Sequence, residues 1–297
     1  MLYKRRNFIK TTAAGLAITA ITGNLAGCKS TSGLHSKDKL SEFGLQLYTL
    51  RDIIPNDPKG ILKQVADMGY KQIEGYEHDK LGIYWGMKNT EFKKYMDDLG
   101  TKIVSTHCNI NKDFERKADE AAEIGMKYLI CPSLPNESKM NKDAYLKAAD
   151  LFNQKGQVCK SRGIKFAFHN HDQSFTTREG NYISQDILLQ NTDPSLVDYE
   201  MDIYWVVTGG QDPVTWLTRY PNRFTLCHVK DRKKGIALTE REASVNVGEG
   251  SIDFKKILSV AIKNGVQYYI VEQEKYENTT PLLAAKTDAD YLKKFRF

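Results

Sequence analysis

From residue 40 onward the chain alternates short apolar runs, rich in β-branched and aromatic residues, with longer segments whose apolar positions recur every three or four residues. The runs at 43–48, 70–75, 102–107, 127–131, 164–169, 197–202, 224–228 and 268–272 read as strands, and the segments at 59–68, 91–99, 114–124 and 144–161 read as helices. One joint recurs between them. Gly, any residue, Lys or Gln, then β-prone apolar residues stands at Gly100-Thr-Lys-Ile, Gly125-Met-Lys-Tyr, Gly163-Ile-Lys-Phe and Gly265-Val-Gln-Tyr, with a looser copy at Gly69. Each copy follows a helical segment, where a residue with positive φ ends the last turn and lets the chain pass straight into a strand.

Eight strands alternating with helices predict an α/β protein of the (β/α)8 TIM barrel class. The rival is an open doubly wound sheet. Against it, no Gly-x-Gly-x-x-Gly follows any strand, and eight units is the number that closes a barrel. The widest loop, 231–250, carries Lys233, Lys234, Glu240, Arg241 and Glu242 and is expected to form a flap over one barrel end.

The first 27 residues follow a different pattern. A basic stretch containing Arg5-Arg6 leads into a mildly apolar run diluted by threonines and glycines, the order of an export signal and too polar for a membrane span. It resembles a twin-arginine leader, and Leu25-Ala26-Gly27-Cys28 resembles a lipobox, which makes Cys28 the expected lipidation site. Residues 28–39 then read as a tether and 40–297 as the barrel domain, held at the periplasmic or cell-envelope side of a membrane by the lipid alone. The leader also explains the charge. Subtracting Lys4, Arg5, Arg6 and Lys10 from the formal +6 leaves +2, too little for nucleic-acid binding. Beyond Cys28, the cysteines at 108, 131, 159 and 227 match no zinc spacing and are expected to be buried free thiols.

Metal-capable residues close four successive strands: His169 in FAFHNHD, Asp202 in YEMDIYW, His228 in TLCHVKD and Glu272 in YIVEQE. In a barrel these ends share one rim, where such folds carry their chemistry. Two imidazoles and two carboxylates suit one divalent ion, with Mn, Zn, Co or Fe favoured over Mg. His171, two residues on, competes with His169 as ligand or contacts substrate. Glu74 and His107 close strands two and three across the mouth and are candidates for a second acid or base. Lys230, alternating with His228, is placed to stabilise an enolate or else to pair with Asp231 or Glu249. Trp205, Tyr48 and Arg51 are candidate substrate contacts, and Asp253 is expected to cap the helix that follows it.

The sequence Cys227-His228-Val229-Lys230-Asp231, the following Gly248-Glu-Gly-Ser-Ile-Asp253 and Val271-Glu272 resemble the xylose isomerase-like barrels, a superfamily of sugar isomerases and epimerases that includes apurinic endonucleases. The resemblance implies a divalent metal on His169, Asp202, His228 and Glu272. In the epimerases the first of these positions is a glutamate that serves as one of two opposed bases, so His169 disfavours a symmetric two-base epimerase. Trp205 stands where the endonuclease branch has a histidine, which disfavours a three-metal DNA site. The expected activity is metal-dependent abstraction of a proton beside a sugar carbonyl, giving isomerisation or epimerisation of an unphosphorylated sugar, with Glu272 as base. The alternatives are a 3-keto-glycoside lyase acting by β-elimination and a non-catalytic carbohydrate-binding lipoprotein.

Overall fold

The computed structural model describes residues 39–178 and 180–297. The leader, Cys28 and all but the last residue of the tether lie outside the described residues. Eight strands, β1 (Gly44–Gln46), β2 (Gln72–Tyr76), β3 (Lys102–His107), β4 (Tyr128–Cys131), β5 (Lys165–His169), β6 (Val197–Asp202), β7 (Phe224–Val229) and β8 (Tyr268–Val271), close into a barrel. All neighbours pair in parallel, β8 closing onto β1 with Gly44 opposite Ile270. Helices return the chain from one strand to the next, among them α1 (Pro58–Asp67), α2 (Asn89–Asp98), α3 (Phe114–Glu123) and α4 (Lys142–Lys160). Beyond these come α5 (Ser184–Asn191), α6 (Ile203–Thr208), α7 (Pro213–Arg219), α8 (Phe254–Lys263) and α9 (Pro281–Lys294).

The glycine joints behave as their spacing predicts. Gly69, Gly100, Gly125, Gly163 and Gly265 all have φ between +65° and +97°, directly after a helix. Helix starts are equally local: Asp57 and Thr280 accept a backbone N–H from the first turn ahead of Pro58 and Pro281, and Asp253 accepts from Lys256 N at 3.1 Å, capping α8.

Most of the apolar core lies between the strands and the helix ring. A separate small cluster of Tyr128, Ile130, Ala167 and Leu226 fills the lower barrel interior. Above it the interior turns polar. Alternation puts Gln46, Glu74, Ser105, His107, His169, Glu200, Asp202 and His228 on the same inward face, and a layer this polar is stable only when each group finds a partner or an ion.

One expectation needs correction. Strand β1 ends at Gln46, and the chain continues as a short 3-10 turn, Leu47–Leu50, because the Gln46 side chain accepts from Tyr48 N at 3.0 Å. Tyr48 therefore sits 39% exposed on the rim. The 231–250 loop borders that rim, with Arg241, Glu242 and Ser244 in the walls of a hollow beside Tyr48 and Trp205, and it is pinned in place. Asp231–Arg232 pairs antiparallel with Ser244–Val245, and the buried Arg232 guanidinium donates to Tyr204 Oη, Thr208 Oγ1 and the carbonyls of Ala237 and Glu240. The four cysteines at 108, 131, 159 and 227 are buried free thiols.

Candidate active site and metal centre

The carboxyl ends of β5 to β8 bring the expected ligands into two donor groups that share His228: Asp202, His228 and Glu272 in one, and His169 and His228 with His107 and Glu200 in the other. Asp202 Oδ2, His228 and Glu272 offer donor atoms within 4.8 Å of one another. His228 Nδ1 lies 3.3 Å from Glu272 Oε2 and 3.7 Å from Asp202 Oδ2, and His169 Nε2 lies 4.0 Å from that same Asp202 oxygen. Asp202 Oδ1 accepts from Trp205 N at 3.0 Å, capping α6, whereas Oδ2 is buried with no hydrogen-bond partner. That oxygen faces the two imidazoles and, at 3.9 Å, the Lys230 ammonium, a position from which it could serve as a cation ligand.

The charge balance agrees. Glu74, Glu200, Asp202 and Glu272 are buried around the Lys230 ammonium and the imidazoles of His107, His169 and His228. Burial opposes charge on His228, but Glu200, Glu272 and Asp202 outweigh it and raise its pKa, a sign of a local field that favours positive charge. Burial holds His169 well below its ordinary value, leaving the neutral imidazole a metal needs. The residues present fit one divalent ion.

Several other side chains land differently from their sequence positions. Glu74, expected to face substrate across the mouth, is wholly buried beneath it: Ser105 Oγ donates to Oε2 at 2.6 Å, while Gln46 Nε2 and His228 Nε2 each lie 2.7 Å from Oε1. With both oxygens engaged it supports the ligands rather than reaching substrate. Lys230 pairs with neither Asp231 nor Glu249. Its Nζ contacts Glu274 and lies 3.2 Å from Glu272 Oε2, beneath the rings of Trp205 and Tyr204. Asp231 instead accepts the backbone N–H groups of Gly248, Gly250 and Ile252, which accounts for the Asp231 and Gly-Glu-Gly parts of the motif; a Cβ on Gly250 would stand 2.1 Å from Asp231 Oδ1.

A cleft of about 490 Å³ opens over the centre, lined by His107, His169, His171, Tyr48, Glu272 and Glu274 among others. His171 packs its ring on His169 and Trp205 at 5.0 and 5.3 Å and lines the cleft. Burial opposes charge on His107, yet Glu74 and Glu200 outweigh it and raise its pKa to about 9. Lys230 and His228 overcome burial to keep Glu272 ionised. A second hollow of about 290 Å³ adjoins Tyr48 and Glu274 on another side, with Arg51, Trp205, Arg241 and Ser244 in its walls. Arg51 stacks 4.6 Å from the Tyr48 ring.

Sequence reasoning missed Glu200 and Glu274. Both carried a signal: Glu200 precedes Asp202 by two on β6 and Glu274 follows Glu272 by two, so alternation alone puts each on its neighbour's side of the chain.

Fold and site together define a (β/α)8 barrel of the enzyme type whose chemistry sits at the carboxyl ends of its strands. The chain belongs to the xylose isomerase-like TIM barrel family, whose profile matches residues 62–295. Among curated proteins it is 27% identical to an inosose dehydratase of Clostridium beijerinckii, over 67% of this chain and 78% of that protein, and 20% identical to one of Geobacillus kaustophilus, over 78% and 85%. A crystal structure described as a sugar phosphate isomerase/epimerase from Parabacteroides distasonis superposes with a TM-score of 0.73 at 29% identity, covering 90% of this chain and 97% of that one. The zinc-bound IOLI protein shares the fold at 17% identity and a TM-score of 0.70, over 86% and 99%. These relatives set the chain among sugar-modifying enzymes.

Proposed function

We propose that this protein is a divalent-metal-dependent lyase of ketone-bearing sugars, removing the proton beside the ketone and expelling an oxygen substituent from the next carbon. His169, Asp202, His228 and Glu272 hold the ion, which when bound supplies Lewis-acid polarisation of the substrate's oxygens. Glu272, kept ionised by Lys230, takes the proton from carbon. Lys230 balances the negative charge that develops on the ketone oxygen. His107, whose Nε2 is engaged by Glu200 and Glu74, presents its other ring nitrogen as the acid that protonates the departing oxygen.

The observation that carries this reading is the asymmetry of the cleft. Glu272 and Glu274 line the cleft from the carboxyl end of β8, while the imidazoles of His107 and His171 line it from the ends of β3 and β5. Base on one side and acid on the other suits elimination; epimerisation asks for matched bases on opposite faces. The relatives named inosose dehydratases support the same reaction type. The adjoining hollow beside Tyr48 and Arg51 favours a substrate that carries a second group, such as a 3-keto-glycoside whose departing oxygen bears a sugar or aglycone. The name of the Parabacteroides structure favours isomerisation or epimerisation as the second reading.

The deciding experiment incubates metal-loaded protein with inososes and 3-keto-glycosides in deuterated water. Elimination gives a conjugated enone with ultraviolet absorbance and a released alcohol or water. An unabsorbing product with deuterium at the α-carbon and no group lost would replace elimination with isomerisation. Glu272→Gln should lower turnover by the ~10²- to 10⁴-fold that a general base contributes; near-normal turnover moves the base to Glu274.

A further inference from the structure

Beneath the ion's expected position, one carboxylate oxygen gathers three imidazoles. Glu200 Oε2 lies 2.8 Å from His107 Nε2, 3.0 Å from His169 Nδ1 and 3.3 Å from His228 Nε2. The residue is wholly buried, and its other oxygen has no hydrogen-bond partner. A carboxylate only accepts, so an imidazole nitrogen bonded to it carries its hydrogen there.

For His169 this settles the tautomer. Nδ1 holds the hydrogen and Nε2 keeps a lone pair, aimed at Asp202 Oδ2, the oxygen that lacks a partner. For His228 both ring nitrogens meet carboxylates, Nε2 against Glu74 at 2.7 Å and Glu200 at 3.3 Å and Nδ1 against Glu272 at 3.3 Å, so in the metal-free protein both carry hydrogen and Nδ1 must release its own to serve as a ligand. A neutral imidazole in water divides between tautomers, and in one of them His169 would present N–H to the ion.

We propose that Glu200 is a positioning residue of the metal centre, which fixes the tautomer of His169 so that its Nε2 lone pair is aimed at Asp202. The assignment rests on the metal-dependent reading above. It gives a reason for a buried carboxylate that lines no part of the cleft and has no place among the substrate contacts. Outer carboxylates of this kind raise ligand basicity and hold ring orientation, and their loss weakens metal binding by about 10- to 100-fold.

The test uses Glu200→Gln, which keeps the shape but can turn an N–H toward the rings. Zinc and manganese binding is measured by chelator competition and elemental analysis, and histidine tautomers by nitrogen-15 NMR of the metal-free protein. Wild type should bind one ion per chain and show His169 as the Nδ1–H form. The variant should bind about 10- to 100-fold more weakly, with the His169 signature changed. Should the variant fold poorly, the wild-type spectrum still decides, because His169 as the Nε2–H form overturns the proposal. Equal affinities with unchanged tautomers also overturn it. Two ions per wild-type chain falling to one in the variant overturn it differently, by making Glu200 a ligand together with His107, His169 and His228, whose donor atoms lie within 4.8 Å of one another. No ion on wild type at all is a failure of the metal-dependent reading, recognisable as such because the tautomer result stands apart from it.

Discussion

Asp288, on α9 and outside the candidate site, should give the protein a measurable pH dependence of stability. The residue is fully buried; Oδ1 accepts from Val247 N at 2.7 Å, and Oδ2 has no partner. Burial, helped by the charges of Glu249 and Asp231, raises its pKa from 3.8 to about 8. Below pH 3.8 folded and unfolded chains both hold the proton. Between the two values only the folded chain holds it, so folding takes up a proton and stability falls as pH rises, by up to ~1.4 kcal/mol per pH unit. Above about pH 8 both states are ionised and the loss levels off. From pH 5 to pH 8 this one group should remove ~3–4 kcal/mol. Asp288→Asn keeps the acceptor for Val247 and cannot ionise. Urea denaturation of both proteins at pH 5, 6, 7 and 8 isolates the effect, since other titrating groups cancel in the difference. The variant's advantage over wild type should grow by ~3–4 kcal/mol between pH 5 and pH 8. A difference that does not change with pH would refute the account.

Other expectations concern the site and the leader. Asp202→Ala and His228→Ala should each lose more than ~100-fold in metal affinity, beyond what an outer residue costs; full metal content in both, by elemental analysis, removes the assignment. Lys230→Met should slow the chemical step by ~10²- to 10³-fold, as loss of a charge-stabilising donor does, with metal content intact. An unchanged single-turnover rate would strip Lys230 of that role. Cys28→Ala should move the protein from the membrane fraction to soluble or unprocessed pools, and an unchanged distribution of mature protein would exclude lipid anchoring at Cys28.

The barrel was legible in the sequence because its determinants are local. Glycine joints, proline-led helix starts and apolar runs act within a few residues, and the eight strands lie within a few residues of where the pattern puts them. The four strand-end residues were legible for the same reason, since a parallel barrel sends every strand's carboxyl end to one rim. Depth below that rim was not. Glu74 and His107 both face the interior, yet Glu74, two residues short of the end of β2, is sealed under Gln46, Ser105 and His228 while His107 opens to the cleft. Register decides this. The irregularities between Ile73 and Glu74 on β2, and between Tyr199 and Glu200 on β6, change the height at which inward side chains meet. Glu200 meets His107 from a strand three places around the barrel. Such a contact depends on closure of the whole sheet, a property no segment of the chain possesses alone.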